Sequence, residues 1–233
     1  MRGAQQVMAG MDRDALLAQI RLITLMETTN VTDAEIVLLL NSGVDEISLA
    51  DYWPWLEASA TLTAVDSTRT IALPADFEFA MALVDDDNDE IVPYIAPSTL
   101  WHAVGNDTGN EGTTFKYWTI WENKVYLTPI PEEGDTDRFT LYYYKTATQL
   151  SAGGTLPEWH EAFHQILVEY VKWKIWDREE YFDQSERAFI TYSRYLSAMS
   201  DWYSRRAQRA PWIAGDGRRR GPLGDLNIPT LNN

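Results

Sequence analysis

The chain contains no cysteine, so neither a disulfide framework nor thiolate chemistry is available to it, and a reducing cytoplasm suits its assembly. It has no apolar run of about 18 residues, so no membrane-spanning helix is expected. The opening "MRGAQQVMAGMDRD" is polar and carries no apolar h-region, so it does not read as a signal peptide. Basic residues are scarce. Only 19 Lys and Arg face 35 Asp and Glu, a net charge of −16. A chain so short of cations cannot neutralise many phosphates, which argues against a general nucleic-acid binder. No G-x-S-x-G, Walker loop or G-x-G-x-x-G stands in the sequence, which removes three common catalytic or nucleotide-binding readings.

What is present is a globular composition. The 233 residues are 45% hydrophobic and 12% aromatic, enough for one large core or two small ones. The charge is unevenly placed. Residues 1–161 hold 26 acidic and 8 basic side chains, whereas 162–233 hold 9 and 11. Within 205–220, six Arg face a single acid, Asp216. An acidic body with a basic tail repels its own kind unless the tail meets an acidic neighbour.

Helical spacing comes first, over 12–27 and again from Thr32, where Thr32-x-x-Glu35 is a capping box. From about residue 58 the pattern alternates and is broken by Asp, Asn and Pro, which predicts strands and turns. A short helix-like "STLWHAV" precedes a Gly/Asn loop at 105–112. "FKYWTIWENKVYLTP" predicts a hairpin turning on Glu122-Asn123. Helix is expected to return at Thr155, where Thr155-x-x-Glu158 reads as a second box with Pro157 in the first turn. After a polar break at 177–184 a last helix carries Phe189, Tyr192, Leu196, Met199 and Tyr203 in steps of three and four. Residues beyond 205 show no periodicity and cannot build a core alone.

Two stretches suggest metal chemistry. Residues 160–164 read "HEAFH", and H-E-x-x-H on a helix binds Zn²⁺ through two His while the Glu acts as general base. Against it, a helix that starts at Thr155 places both His near a positive N-terminal dipole. The other His of the chain is His102, and the H-x-x-G-x-x-H continuation is missing because Leu167 occupies the Gly position. A chance match is the better reading. The acidic run 85–90, "DDDNDE", lacks EF-hand spacing and reads as a charged hairpin tip. The ten Trp and twelve Tyr are not interleaved with basic residues, so they read as core and subunit-interface material rather than base-stacking platforms.

The order of features resembles the head-to-tail adaptor (connector) proteins of tailed bacteriophages. The resemblance rests on the N-terminal helical pair leading into "WLEASATLTAVDSTRTIALPADF" (55–77), then "VYLTPIP" (125–131), "FTLYYYK" (139–145) and "LPEWHEAFHQILVEYVKWKIW" (156–176). It implies an α+β fold in which N-terminal helices (1–57) and a C-terminal antiparallel helix hairpin (151–204) form a helical bundle. An antiparallel β module (58–150) is inserted between them, and an extended Arg-rich arm (205–233) follows.

It also implies a virion structural protein with neither enzymatic activity nor cofactor. Its place would be the neck between portal and tail, reached by assembly in the host cytoplasm. The partners implied are its own copies in a ring of twelve, the portal protein, and the next neck or tail protein. Packaged DNA would pass through without specific binding, and no membrane is involved. The portal-contact candidates are Arg205, Arg206, Arg209, Trp212, Ile213, Arg218, Arg219 and Arg220. The candidates for channel-facing or tail-facing acids are Asp85, Asp86, Asp87, Asp89, Glu90, Glu132, Glu133, Asp135 and Asp137. The alternatives are a zinc metallopeptidase using His160, Glu161 and His164, or a different neck or tail-completion protein.

Overall fold

The computed structural model describes residues 10–25, 30–104 and 111–208. It opens with α1 (Arg13–Thr24) and α2 (Asp33–Leu49). Asp12 caps α1 by accepting the Ala15 N–H at 2.8 Å. At α2 the Thr32 N–H donates to the Glu35 carboxylate at 2.6 Å, and the Glu35 N–H donates to the Thr32 hydroxyl at 3.2 Å. This reciprocal box satisfies two donors that a helix start would otherwise leave open. Donation by the Thr32 N–H, and by the Thr32 hydroxyl at 2.9 Å, holds the Glu35 carboxyl below its ordinary pKa.

A 3₁₀ turn at Pro54–Leu56 delivers the chain into strands. These are β1 (Glu57–Ala64), β2 (Thr70–Ala72), β3 (Phe77–Asp85) and β4 (Glu90–Val92). The short helix α3 (Pro97–Val104) carries His102 and precedes β5 (Glu111–Gly112), β6 (Tyr117–Trp121), β7 (Lys124–Thr128), β8 (Ile130–Pro131) and β9 (Asp135–Lys145). One antiparallel sheet has the order β1-β9-β3-β4 and another the order β2-β7-β6. The short β5–β8 pair is parallel, a departure from the all-antiparallel expectation. The β6–β7 hairpin turns on Glu122 and Asn123 at φ 49° and 58°, the left-handed pair that a two-residue turn requires. Strand alternation sets the sides: Phe139, Leu141 and Tyr143 of β9 are buried, whereas Tyr142 is exposed.

Helix returns later than the sequence predicts. Residues 155–160 are not helical; a 3₁₀ turn follows at Glu161–Phe163, and then α4 (Gln165–Arg178) and α5 (Phe182–Gln208). The expected box at Thr155 does not form because both of its members are engaged elsewhere. Glu158 accepts from Lys145 Nζ and, at 3.0 Å, from the Thr148 hydroxyl. The Thr155 hydroxyl accepts the Ala152 N–H at 3.3 Å, and its carbonyl accepts the Arg13 N–H at 3.0 Å, tying this segment to the start of α1.

The sequence of α4 is apolar on most of its circumference, with Ile166, Leu167, Val168, Tyr170, Val171 and Ile175 all buried. Such a helix is stable only when surrounded, and α1, α2 and α5 pack against it. Its partners on α5 run in reverse order along the chain. Phe163, just before α4, meets Trp202 at 5.8 Å; within α4, Tyr170 meets Tyr192 at 5.5 Å and Trp173 meets Phe189 at 4.8 Å between ring centroids. Contact between α2 and α4 is close because Gly43 lacks a side chain: a Cβ there would lie 2.7 Å from the Tyr170 ring. Among the described residues most of the buried apolar side chains fall in two clusters. One is built from the helices with Trp53, Leu56 and Trp159, the other from the strands with Phe115.

Candidate functional site

The HEAFH stretch is assembled differently from a metal-binding helix. His160 precedes the 3₁₀ turn and caps it, its Nδ1 accepting the Ala162 N–H at 3.2 Å. The His160 backbone N–H donates to the Tyr203 hydroxyl of α5 at 3.0 Å, and its exposed ring lies 4.9 Å from Trp202. His164 is buried, and both of its ring nitrogens face backbone. Nδ1 accepts the Met11 N–H at 2.9 Å, while Nε2 lies 3.2 Å from the Trp159 carbonyl, to which an Nε2–H tautomer donates. Burial holds the His164 pKa below its ordinary value. The premise of the zinc reading, two imidazoles on one face of one helix, is therefore not met. His164 instead joins the chain before α1 to the start of α4.

The two acidic stretches that lie far apart in sequence come together. Pairing of β3 with β9 sets Asp85 opposite Phe139, which brings the β3–β4 turn beside the start of β9. The centre of the cluster is a cation. Arg138 is buried, with its Nε 2.8 Å from Asp85, a further ion pair to Asp87, and Asp135 at 3.6 Å. It also donates to the Thr113 carbonyl at 2.9 Å and lies over the Phe115 ring at 5.6 Å. Burial alone would lower the Arg138 pKa, but hydrogen bonding and charge from Asp85, reinforced by Asp87 and Asp135, raise it. Desolvation lifts the Asp87 carboxyl, with Arg138 opposing and the neighbouring Asp135 and Asp85 adding to the rise. Thus Asp85 is a core group and does not reach a surface. Asp86, Asp87, Asp89, Glu90, Glu132, Glu133 and Asp137 are exposed, and Asp135 is half-buried. Among the described residues no cluster of His, Cys, Asp or Glu is arranged to hold a metal ion.

The third element is the end of α5. Arg205 and Arg206 are exposed and belong to this helix, not to an extended segment. Arg205 pairs loosely with Asp201 at 3.7 Å, and Arg206 lies 5.2 Å above Trp202. The other expected contact residues, Arg209, Trp212, Ile213, Arg218, Arg219 and Arg220, lie outside the described residues.

Residues 11–220 match the model of the SU10 adaptor protein family. The chain belongs to that family, one of phage head-to-tail adaptors. Comparison with curated proteins gives no match. As a phage adaptor the chain is a structural component of the virion. No helix among the described residues is long and apolar enough to cross a membrane. The adaptor carries two charged features: the acidic turns around Arg138 and the Arg-bearing end of α5.

Sequence reasoning named the residues of both features, but it expected Arg205 and Arg206 in an extended arm rather than on α5. It missed the organising role of Arg138: strand alternation points the other way, since Arg138 is out of phase with the buried Phe139, Leu141 and Tyr143, and the readable signal is a lone Arg among the four acids of "EEGDTDR".

Proposed function

We propose that this adaptor forms a ring, twelve subunits by the family's usual number, beneath the portal. There it extends the DNA channel and presents the docking platform for the next neck or tail protein. The observation that carries this reading is the family match over residues 11–220. The exposed acids Asp86, Asp87, Asp89, Glu90, Glu132, Glu133 and Asp137 would line the channel or face the tail, where negative charge lets a DNA backbone pass without adhering. Arg205 and Arg206, followed by Arg209, Trp212, Ile213 and Arg218–Arg220, supply the portal contact, being rich in the residue types that dominate interface energetics.

In this reading the helices 1–57 and 151–204 form one bundle closed by an antiparallel α4–α5 hairpin. The β module 58–150 is an insertion in that body, and 205–233 is an arm. Supporting this are the reversed order of ring contacts between α4 and α5 and the two separate apolar clusters. The protein works by contact and has neither catalytic activity nor cofactor. It is made in the host cytoplasm and resides in the virion neck.

Electron microscopy of the purified chain mixed with the portal protein of the same genome tests the proposal. Rings of the chain stacked coaxially on the portal are expected. Portal rings left bare at high concentration of folded chain would overturn it.

A further inference from the structure

An open groove of about 620 Å³ lies between the C-terminal end of α2 and the strands β3 and β9. It falls within the size range, about 300–1,000 Å³, of sites that hold a compact ligand. One wall is aromatic: Tyr52, Phe79 and Tyr144 surround one another at 4.8–5.7 Å between centroids. Tyr52 is 71% and Leu49 76% exposed, unusually bare for side chains that are already partly packed. The lining acids are Asp45, Asp51 and Glu78, and the lining cation Lys145 is already paired with Glu158. An occupant must therefore be cationic and carry large apolar groups.

The chain has such a segment following α5, and α5 passes the groove. The Ser200 hydroxyl of α5 donates to Asp51 on the groove's edge at 2.6 Å. From Ser200 the helix runs to Gln208, a rise of about 12 Å. Trp212 and Ile213 stand four and five residues beyond Gln208, about 14–17 Å of extended chain, enough to return over that rise to Asp51, and Arg218–Arg220 reach further. Charge also selects an own segment over a second body. Residues 1–204 hold 13 basic and 33 acidic side chains, so two bodies repel, whereas 205–233 hold 6 and 2.

We propose that in the free adaptor residues 209–220 fold back on their own chain and dock in this groove, with Trp212 and Ile213 on the Tyr52–Phe79–Tyr144 wall and arginines beside Asp45, Asp51 and Glu78. The arm is then held in reserve until an assembly partner competes for it. This goes beyond the ring reading and does not depend on it.

The absence of cysteine makes the test direct. Nitroxides on T146C, in the groove lining, and A214C, two residues beyond Trp212, report their separation by double electron–electron resonance in the dilute full-length chain. A narrow, short distance is expected. It should broaden at 1 M salt and in the D51N/E78Q and Phe79→Ala variants, while circular dichroism stays unchanged. A broad distribution in the unaltered chain overturns the proposal, as does a short distance that appears only between singly labelled chains mixed together. Neither result touches the decoration of portal rings, so the ring reading stands or falls separately.

Discussion

Two buried polar side chains, one on each side of the molecule, are accommodated by opposite devices. On the β side Arg138 stays charged and is surrounded by the carboxylates of Asp85, Asp87 and Asp135. On the helical side His164 is neutral, and its ring is satisfied by the backbone of Met11 and Trp159. The difference follows from what each architecture leaves unpaired. Strands satisfy most of their own backbone through the ladder, so a buried charge there draws its partners mainly from side chains. The segments flanking α1 and α4 have loose N–H and C=O groups to spare, and an imidazole can serve one of each. Around Arg138 the molecule is therefore sensitive to charge, whereas around Gly43 and His164 it is sensitive to volume and to protonation.

The sharpest way to break this comparison is Arg138→Ala, which leaves Asp85 buried without its partner. We expect a loss of about 3–5 kcal/mol in urea denaturation, with much of it recovered when Asp85→Leu is added to the same chain. A loss below about 1 kcal/mol would remove the buried-charge account of this end. Next in size is Gly43→Ala. The new methyl would meet the Tyr170 ring at 2.7 Å and Leu167 at 3.0 Å, so overpacking should cost about 1–3 kcal/mol. Pairing it with Tyr170→Leu should relieve part of that cost, and additive losses would show that α2 and α4 are not in the contact described.

Protonation gives a smaller effect confined to the helical side. The folded His164 pKa lies below its ordinary 6.5 because of burial, so below that value the unfolded chain binds a proton that the folded chain refuses. Stability should hold above pH 7 and fall as pH drops from about 6.5 toward the folded pKa. The slope contributed by this residue should be under about 1.4 kcal/mol per pH unit. His164→Gln should flatten it; an unchanged slope in that variant would assign the titration elsewhere. Smallest is Thr32→Ala, which removes one half of the α2 box and should cost about 1 kcal/mol by thermal denaturation, with the β core indifferent to it.

Elements governed by local chemistry were legible in the sequence. The Thr32–Glu35 box, the Glu122-Asn123 turn and the break between α4 and α5 each depend on a few adjacent residues, and each forms where the spacing predicts. Reading failed where distant groups compete. Thr155-x-x-Glu158 has the same local grammar as the α2 box, but Lys145 and Thr148 capture Glu158 from another element. Phe189 follows the helical stripe yet is 44% exposed, whereas Trp159, expected on the same helix as Phe163, is buried ahead of it. The meeting of residues 85–87 with Asp135 and Arg138 depends on strand pairing, which no local window contains.

The short 3₁₀ turn at Glu161–Phe163 also explains why a five-letter pattern misleads. An α-helix advances about 100° per residue, so positions four apart differ by about 40° in direction and share a face. A 3₁₀ turn advances about 120° per residue, and the same two positions diverge by about 120°. The motif presumes a constant angular step, and this chain changes step inside it. Metal-site patterns scanned across helix starts acquire a definite condition from this: the pitch must be uniform from the first ligand to the last before their spacing carries meaning.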